Sequence, residues 1–178
     1  MHTHQQPTTP ALDLASQSLL YITDLVNDSV ETLAYACELA DRNGVDIEVI
    51  HVIDVERSAS NPDAQMGIQY RLEALAGRLR SLKKRVASKL LFGSAENVIA
   101  KRAMAVQAKL VAFGASDSSS AGLLQNLVQR IRQRVSCPVV IVPHQALPSQ
   151  RAASRNYRAL LDSSEWLVGK KPAPKGSF

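Results

Sequence analysis

The sequence is poor in cysteine and aromatic residues and has no long apolar run, and each shortage excludes a class of protein. Two cysteines, Cys37 and Cys137, in 178 residues cannot make a disulfide scaffold. Neither stands in a CxxC or Cys/His spacing, so neither marks a metal site, and both read as small core residues in a reducing compartment. Aromatics make up 4% of the chain, too few and too scattered for an RNA-stacking surface. No stretch approaches the ~18 apolar residues of a membrane span, and the first residues lack the basic start and apolar centre of a secretory signal. The expected location is the cytoplasm.

Catalytic motifs are scarce as well. The chain has no phosphate-loop lysine and no paired-carboxylate motif, and Gly114-Ala115-Ser116-Asp117-Ser118 is not the strained Gly-x-Ser-x-Gly elbow. No histidine lies near that serine-rich stretch in sequence. The expectation is a protein that is not an enzyme, with no catalytic residues. His2 and His4 form the one histidine pair near a terminus, and a solvated end explains them better than a metal.

The net charge of +5 is unevenly spread. Residues 1–143 are close to balanced, whereas residues 144–178 carry six basic and two acidic side chains. A nucleic-acid function would therefore rest on tail charge alone, and it is not expected.

The length suits one domain, large enough to bury roughly 70% of its unfolded surface. Residues 1–16 are polar and aperiodic and read as a flexible leader. Residues 17–144 hold an alternation of strand and helix. Leu19 to Thr23 is an apolar strand that ends at Asp24; Asp28, with Glu31 three residues on, is the expected N-cap of a helix that runs to Gly44. Val45 to Ile53 reads as a strand buried on both faces. Ile68, Leu72, Leu75, Leu79 and Leu82 repeat in steps of four and three, the strongest helical signal in the chain. Arg71, Arg78, Arg80, Lys83 and Lys84 lie on its other side, which reads as a solvated face. Val86 to Phe92 is a third strand and Ala95 to Ala108 a third helix.

The most informative stretch is Lys109 to Pro143. Leu110 to Phe113 is a short buried strand ended by Gly114, and small polar residues follow. After Gly122, apolar residues recur at Leu124, Leu127, Val128, Ile131 and Val135, a helical stripe. Pro138 stops that helix and opens the strand Val139 to Val142. Five strands alternating with four helices predict an open parallel α/β sheet with helices on both faces.

Val111-Ala112-Phe113-Gly114 and Cys137-Pro138-Val139-Val140-Ile141-Val142-Pro143 resemble the C-terminal half of the universal stress protein family. Tyr21 to Gly44 resembles that family's first strand and helix, and His51-Val52-Ile53-Asp54 its second strand. The resemblance implies a Rossmann-like, five-stranded sheet in the order 3-2-1-4-5. That order sets Asp24 and Gly114 on one crevice at a topological switch point, where such sheets hold ligands.

The resemblance also implies an adenine-nucleotide site, which in this chain is incomplete. Asp24, Val52 and Gly114 match the family's positions. The family's loop is G-x2-G-x9-G-[ST]; here Asp117 stands where its second glycine belongs, its final pair falls on Gln125-Asn126, and the loop is two residues short. Losing two backbone contacts to phosphate would cost roughly 3 to 6 kcal/mol, two to four decades of affinity. The Asp117 carboxylate would add repulsion. Ser116, Ser118, Ser119, Ser120 and Asn126 could replace part of the lost donors. Asp24, Val52, Gly114 and Asn126 are the candidate site residues. No bound cofactor is expected; ATP or AMP is the ligand on the alternative reading.

Two partner surfaces are expected. The apolar strand Val139 to Val142 would lie at a sheet edge, where the resemblance implies pairing with a second copy as a homodimer. Residues 145–178 form a basic extension with a possible short helix through Ala153, Tyr157, Leu160 and Leu161, and Trp166 beyond it. Docking of the extension on its own domain or dimer mate is favoured over a partner protein or anionic surface. The expected role is a non-catalytic regulatory or protective stress protein with weak or absent ATP binding; the alternative is an ATP or AMP sensor with slow or no hydrolysis.

Overall fold

A segment apolar on both faces is stable only where both faces are covered. Ser18–Ile22 is such a segment, and in the computed structural model it forms β1 with every residue buried. The structure describes residues 17–54, 62–82, 85–114 and 121–142. The leader, the cluster from Ser116 to Ser120 with Asp117, Lys83, Lys84 and the C-terminal extension with its expected helix lie outside the described residues.

The remaining elements alternate: α1 (Val30–Asn43), β2 (Asp46–Ile53), α2 (Pro62–Arg80), β3 (Val86–Phe92), α3 (Ala95–Ala105), β4 (Leu110–Phe113), α4 (Ala121–Arg132) and β5 (Val139–Ile141). The five strands are parallel throughout, in the order β3-β2-β1-β4-β5. This is the order that the sequence resemblance implied. From β1 the sheet is built outward through β2 to β3 on one side and, after the chain crosses back through α3, through β4 to β5 on the other, and the crevice between β1 and β4 opens at their carboxyl ends.

Strand alternation sends side chains to two cores. Leu19 and Tyr21 join Ile47, Val49 and the inward faces of α1 and α2. Leu20 and Ile22 join Ile50, Val111, Phe113 and the inward faces of α3 and α4. Cys37 is buried in the first core, and Cys137 packs half-buried against the second.

Helix ends follow local chemistry, with one correction. The N-cap of α1 is Ser29, not Asp28: Ser29 Oγ accepts from the Thr32 N–H at 3.1 Å. Asp28 is diverted inward by two hydroxyls, as described below, and the next residue takes over the cap. Gly44 ends α1 in the left-handed conformation at φ 62°, as a C-terminal glycine should. α2 starts at Pro62, a residue suited to the first helical turn. α3 stops at Ala105 rather than Ala108, because Gln107 turns left-handed at φ 49° and Ala108 N–H bonds back to Ala103 O.

One charged pair interrupts the apolar pattern. Glu48, in β2 and only 2% exposed, accepts from Arg102 of α3 at 2.5, 2.9 and 3.2 Å. A buried carboxylate persists only when paired in this way.

Both sheet edges carry the same device. In β5, Pro138 and Val142 bond to β4, so Val139 directs its carbonyl outward; Arg132, at the end of α4, donates to it from Nε and Nη2 at 3.1 and 2.8 Å. In β3, Val86 O is likewise turned outward and accepts from Arg80 Nε at 2.9 Å, at the end of α2. Each edge strand thus has its first outward acceptor covered by the helix that precedes it.

Candidate functional site

β1 ends beneath a short loop, residues 23–28, whose polar side chains fold back on their own backbone. Asp24 Oδ1 accepts from the Val26 and Asn27 N–H groups at 2.8 and 2.9 Å, and Oδ2 accepts from Asn27 Nδ2 at 2.7 Å. Thr23 Oγ1 accepts from Leu25 N–H at 2.8 Å and donates to Asp28 Oδ2. Leu25 takes the left-handed conformation at φ 61° inside this frame. Tyr21 Oη donates to the other Asp28 oxygen at 2.6 Å.

These bonds set the charges of the loop. Burial by itself would raise the Asp24 carboxyl, but the hydrogen bonds from Asn27 and Val26 outweigh it and hold the group below its usual range. Asp28 goes the other way: burial raises it, and the hydroxyls of Thr23 and Tyr21 offset only part of the rise. Tyr21 is pushed well up by burial and by the neighbouring Asp28 charge.

The loop forms one rim of a cleft of about 310 Å³ at the carboxyl ends of β1 and β4. Asp24, Val52 and Gly114 all line it, so the fold brings three of the four candidate residues together. Asn126 is not among the lining residues; it lies on the exposed side of α4, whose Leu123, Leu124 and Leu127 face the cleft instead. A helix that starts at Ala121 places residue 126 between two inward positions, which puts its side chain on the outer face.

The sequence reading missed two polar members of the rim. Thr23 lines the cleft beside Asp24, and His51 lines it from β2. His51 Nδ1 lies 2.9 Å from Thr23 O. A carbonyl only accepts, so Nδ1 is the donor in this contact. His51 was legible only as part of a strand, because its pairing with Thr23, 28 residues away in sequence, depends on the β1–β2 register.

Gly114 has a packing reason of its own. A Cβ there would meet Tyr21 Oη at 2.9 Å and Asp28 Oδ1 at 3.2 Å. Its N–H donates to Ile22 O at 2.9 Å, which ties β4 to β1 directly below the cleft.

Chemically the cleft is an apolar slot with a polar rim. Ile22, Val52, Ile99, Phe113 and the three leucines of α4 supply the walls. Among the described lining residues the ionisable groups are one carboxylate and one imidazole, with no lysine or arginine.

A doubly wound parallel sheet with a cleft at its switch point defines an α/β protein of the kind that holds ligands beyond the carboxyl ends of its strands. The universal stress protein family model matches residues 16–143, and the chain belongs to that family. No curated protein matches it in sequence. Among solved structures, a universal stress protein in complex with cAMP is similar at 18% identity and TM-score 0.56, over 72% of this chain and 98% of that one. The universal stress protein from Archaeoglobus fulgidus in complex with dAMP is similar at 16% identity and TM-score 0.54, over 71% and 98%. A family member from Burkholderia pseudomallei is similar at 16% identity and TM-score 0.51, over 74% and 98%. No helix among the described residues is long and apolar enough to cross a membrane.

Proposed function

We propose that this universal stress protein is a non-catalytic regulatory or protective component of a cytoplasmic stress response, acting as a homodimer, whose cleft takes adenosine or a monophosphate weakly and ATP poorly. The observation that carries the reading is the lining of the cleft. Apolar walls suit a flat heterocycle, and Asp24, Thr23 and His51 offer polar atoms at its edge. Among the described lining residues the side toward α4 presents Leu123, Leu124 and Leu127, none of which offers a side-chain donor to a polyphosphate. The similar structures hold cAMP and dAMP, each with a single phosphate group. The absence of a phosphate-loop lysine from the sequence supports a role without catalysis.

The alternative, a sensor of ATP or AMP with slow or no hydrolysis, is favoured by the assembly of Asp24, Val52 and Gly114 in one cleft. Calorimetric titration with ATP, AMP and adenosine, with magnesium and after a check for co-purified nucleotide, separates the two. Weak heat with adenosine or AMP and little with ATP is expected. Micromolar binding of ATP would overturn the first reading in favour of the second.

The homodimer would form through the apolar edge at β5, where Ile141 is 37% exposed. A clean monomer by light scattering at tens of micromolar would remove that element of the proposal. The C-terminal extension would dock on its own domain or dimer mate and leave a partner protein as the second choice; limited proteolysis that spares residues up to about 169 is the expected result.

A further inference from the structure

A second cleft, of about 300 Å³, lies on the other side of the 23–28 loop, between that loop and α2. It belongs to the α1 and α2 side of the sheet, whereas the cleft described above belongs to the α3 and α4 side. Leu25, Val26 and Asp28 form one wall, and Arg71, Ala74, Leu75 and Arg78 the other.

Its lining combines two arginines and one carboxylate with apolar side chains. Arg71 and Arg78 are seven residues apart on α2, two helical turns, and so project from the same face. Arg71 Nη2 donates to Leu25 O across the cleft. That contact fixes the guanidinium while its other N–H groups remain as donors, and a guanidinium fork matches an oxyanion. Arg78 is half-buried and near enough to Asp28 for its charge to favour the ionised carboxylate. The Asp28 oxygens already accept from Tyr21 and Thr23, so this carboxylate is engaged on its inner side. Two guanidiniums thus face one carboxylate, and the cleft keeps an excess positive charge. Beside them, Leu25, Val26, Ala74 and Leu75 offer apolar contact, and Val26 is 74% exposed.

We propose that the cleft between the 23–28 loop and α2 binds a small organic oxyanion, a carboxylate or phosphate monoester on a short apolar body, with Arg71 and Arg78 holding the head and Val26, Ala74 and Leu75 the body. The left-handed Leu25 is part of the site, because its carbonyl is the anchor for Arg71. This inference does not depend on what the first cleft binds.

The test is amide NMR titration of the full chain with benzoate and with phenyl phosphate at low ionic strength. Saturable shifts at Val26, Ala74 and Leu75 with at least one probe are expected, and whichever probe binds identifies the head group. The affinity should fall about tenfold in Arg71→Gln and in Arg78→Gln, the loss of one charge-assisted contact. Arg71→Lys should recover part of it if charge matters. Thermal melting of each variant shows whether the fold is intact, so that lost binding is not confused with unfolding. No saturable shift with either probe at millimolar concentration, shifts confined to Asp24, Val52 and Gly114, or equal affinity in the folded Arg71→Gln and Arg78→Gln variants would each overturn the proposal.

Discussion

Tyr21 donates to Asp28 at 2.6 Å in the space that a side chain on residue 114 would need, so the hydroxyl, the carboxylate and the absence of a Cβ at Gly114 are one arrangement. Gly114→Ala should destabilise the protein by about 1 to 3 kcal/mol, the usual range for overpacking a filled site. Tyr21→Phe in the same chain removes the nearest clashing atom, so the double variant should be less destabilised than the sum of the two singles. Urea denaturation of the four proteins gives the coupling. Strict additivity would mean that the backbone at Gly114 shifts without disturbing Tyr21.

Asp24 and Asp28, four residues apart, should give stability opposite dependences on pH. The folded-state value of Asp24 is lowered, so its contribution is present above the unfolded value of about 3.9 and is lost as pH falls through the folded value. The folded-state value of Asp28 is raised, so its folded form is favoured at low pH, and that advantage is lost as pH rises from about 3.9 through the folded value. The stability of the parent minus that of Asp24→Asn should therefore grow as pH rises. The stability of the parent minus that of Asp28→Asn should shrink. Urea melts carried from below the unfolded value of about 3.9 up to neutral pH read both, and parallel curves across that range would contradict the assignment of either carboxylate.

Breaking the Glu48–Arg102 pair should be among the most damaging single changes in the sheet. Arg102→Ala leaves a carboxylate that is 2% exposed without its partner and should cost about 3 to 5 kcal/mol. Replacing both residues by methionine should recover most of that loss, since an apolar pair of similar volume avoids the unpaired charge. Equal losses in Arg102→Ala and the double variant would point to packing rather than charge.

Arg132 covers an outward carbonyl of β5 that a β5–β5 ladder between two copies would use. If the homodimer forms through that ladder, Arg132→Ala should tighten it several-fold, while Arg80→Ala, at the opposite edge, should leave it unchanged. Light scattering across a concentration series measures both. A dimer weakened by Arg132→Ala would place the interface elsewhere or make Arg132 part of it.

The architecture was legible because its determinants are local. Apolar runs bounded by Gly44, Gly93, Gly114 and Pro138 mark where strands and helices change over, and the stripe from Ile68 to Leu82 needs only its own spacing to be read as a helix. The family resemblance at Val111 to Gly114 and Cys137 to Pro143 supplied the strand order, which periodicity alone does not contain. Asp24, Val52 and Gly114 were named as candidates by the family resemblance, and they line one cleft because each sits at or near the end of a strand.

What the sequence by itself determined is therefore the elements, their alternation and the family. The tertiary structure decided the partners of individual polar groups, since those are set by strand register and helix rotation. Asp28 looked like a helix cap until Tyr21 and Thr23 were placed within reach of it, and Ser29 took the cap. Glu48 carries no signal of its partner in the sequence of its strand: Arg102, 54 residues away, is brought across from α3. Asn126 was a candidate phosphate donor in the sequence, and it is the rotation of α4 that leaves it exposed and outside the cleft lining, with Leu124 and Leu127 on the cleft side. A hydrogen bond is short-ranged and directional, so its energy depends on a geometry that only the assembled sheet provides.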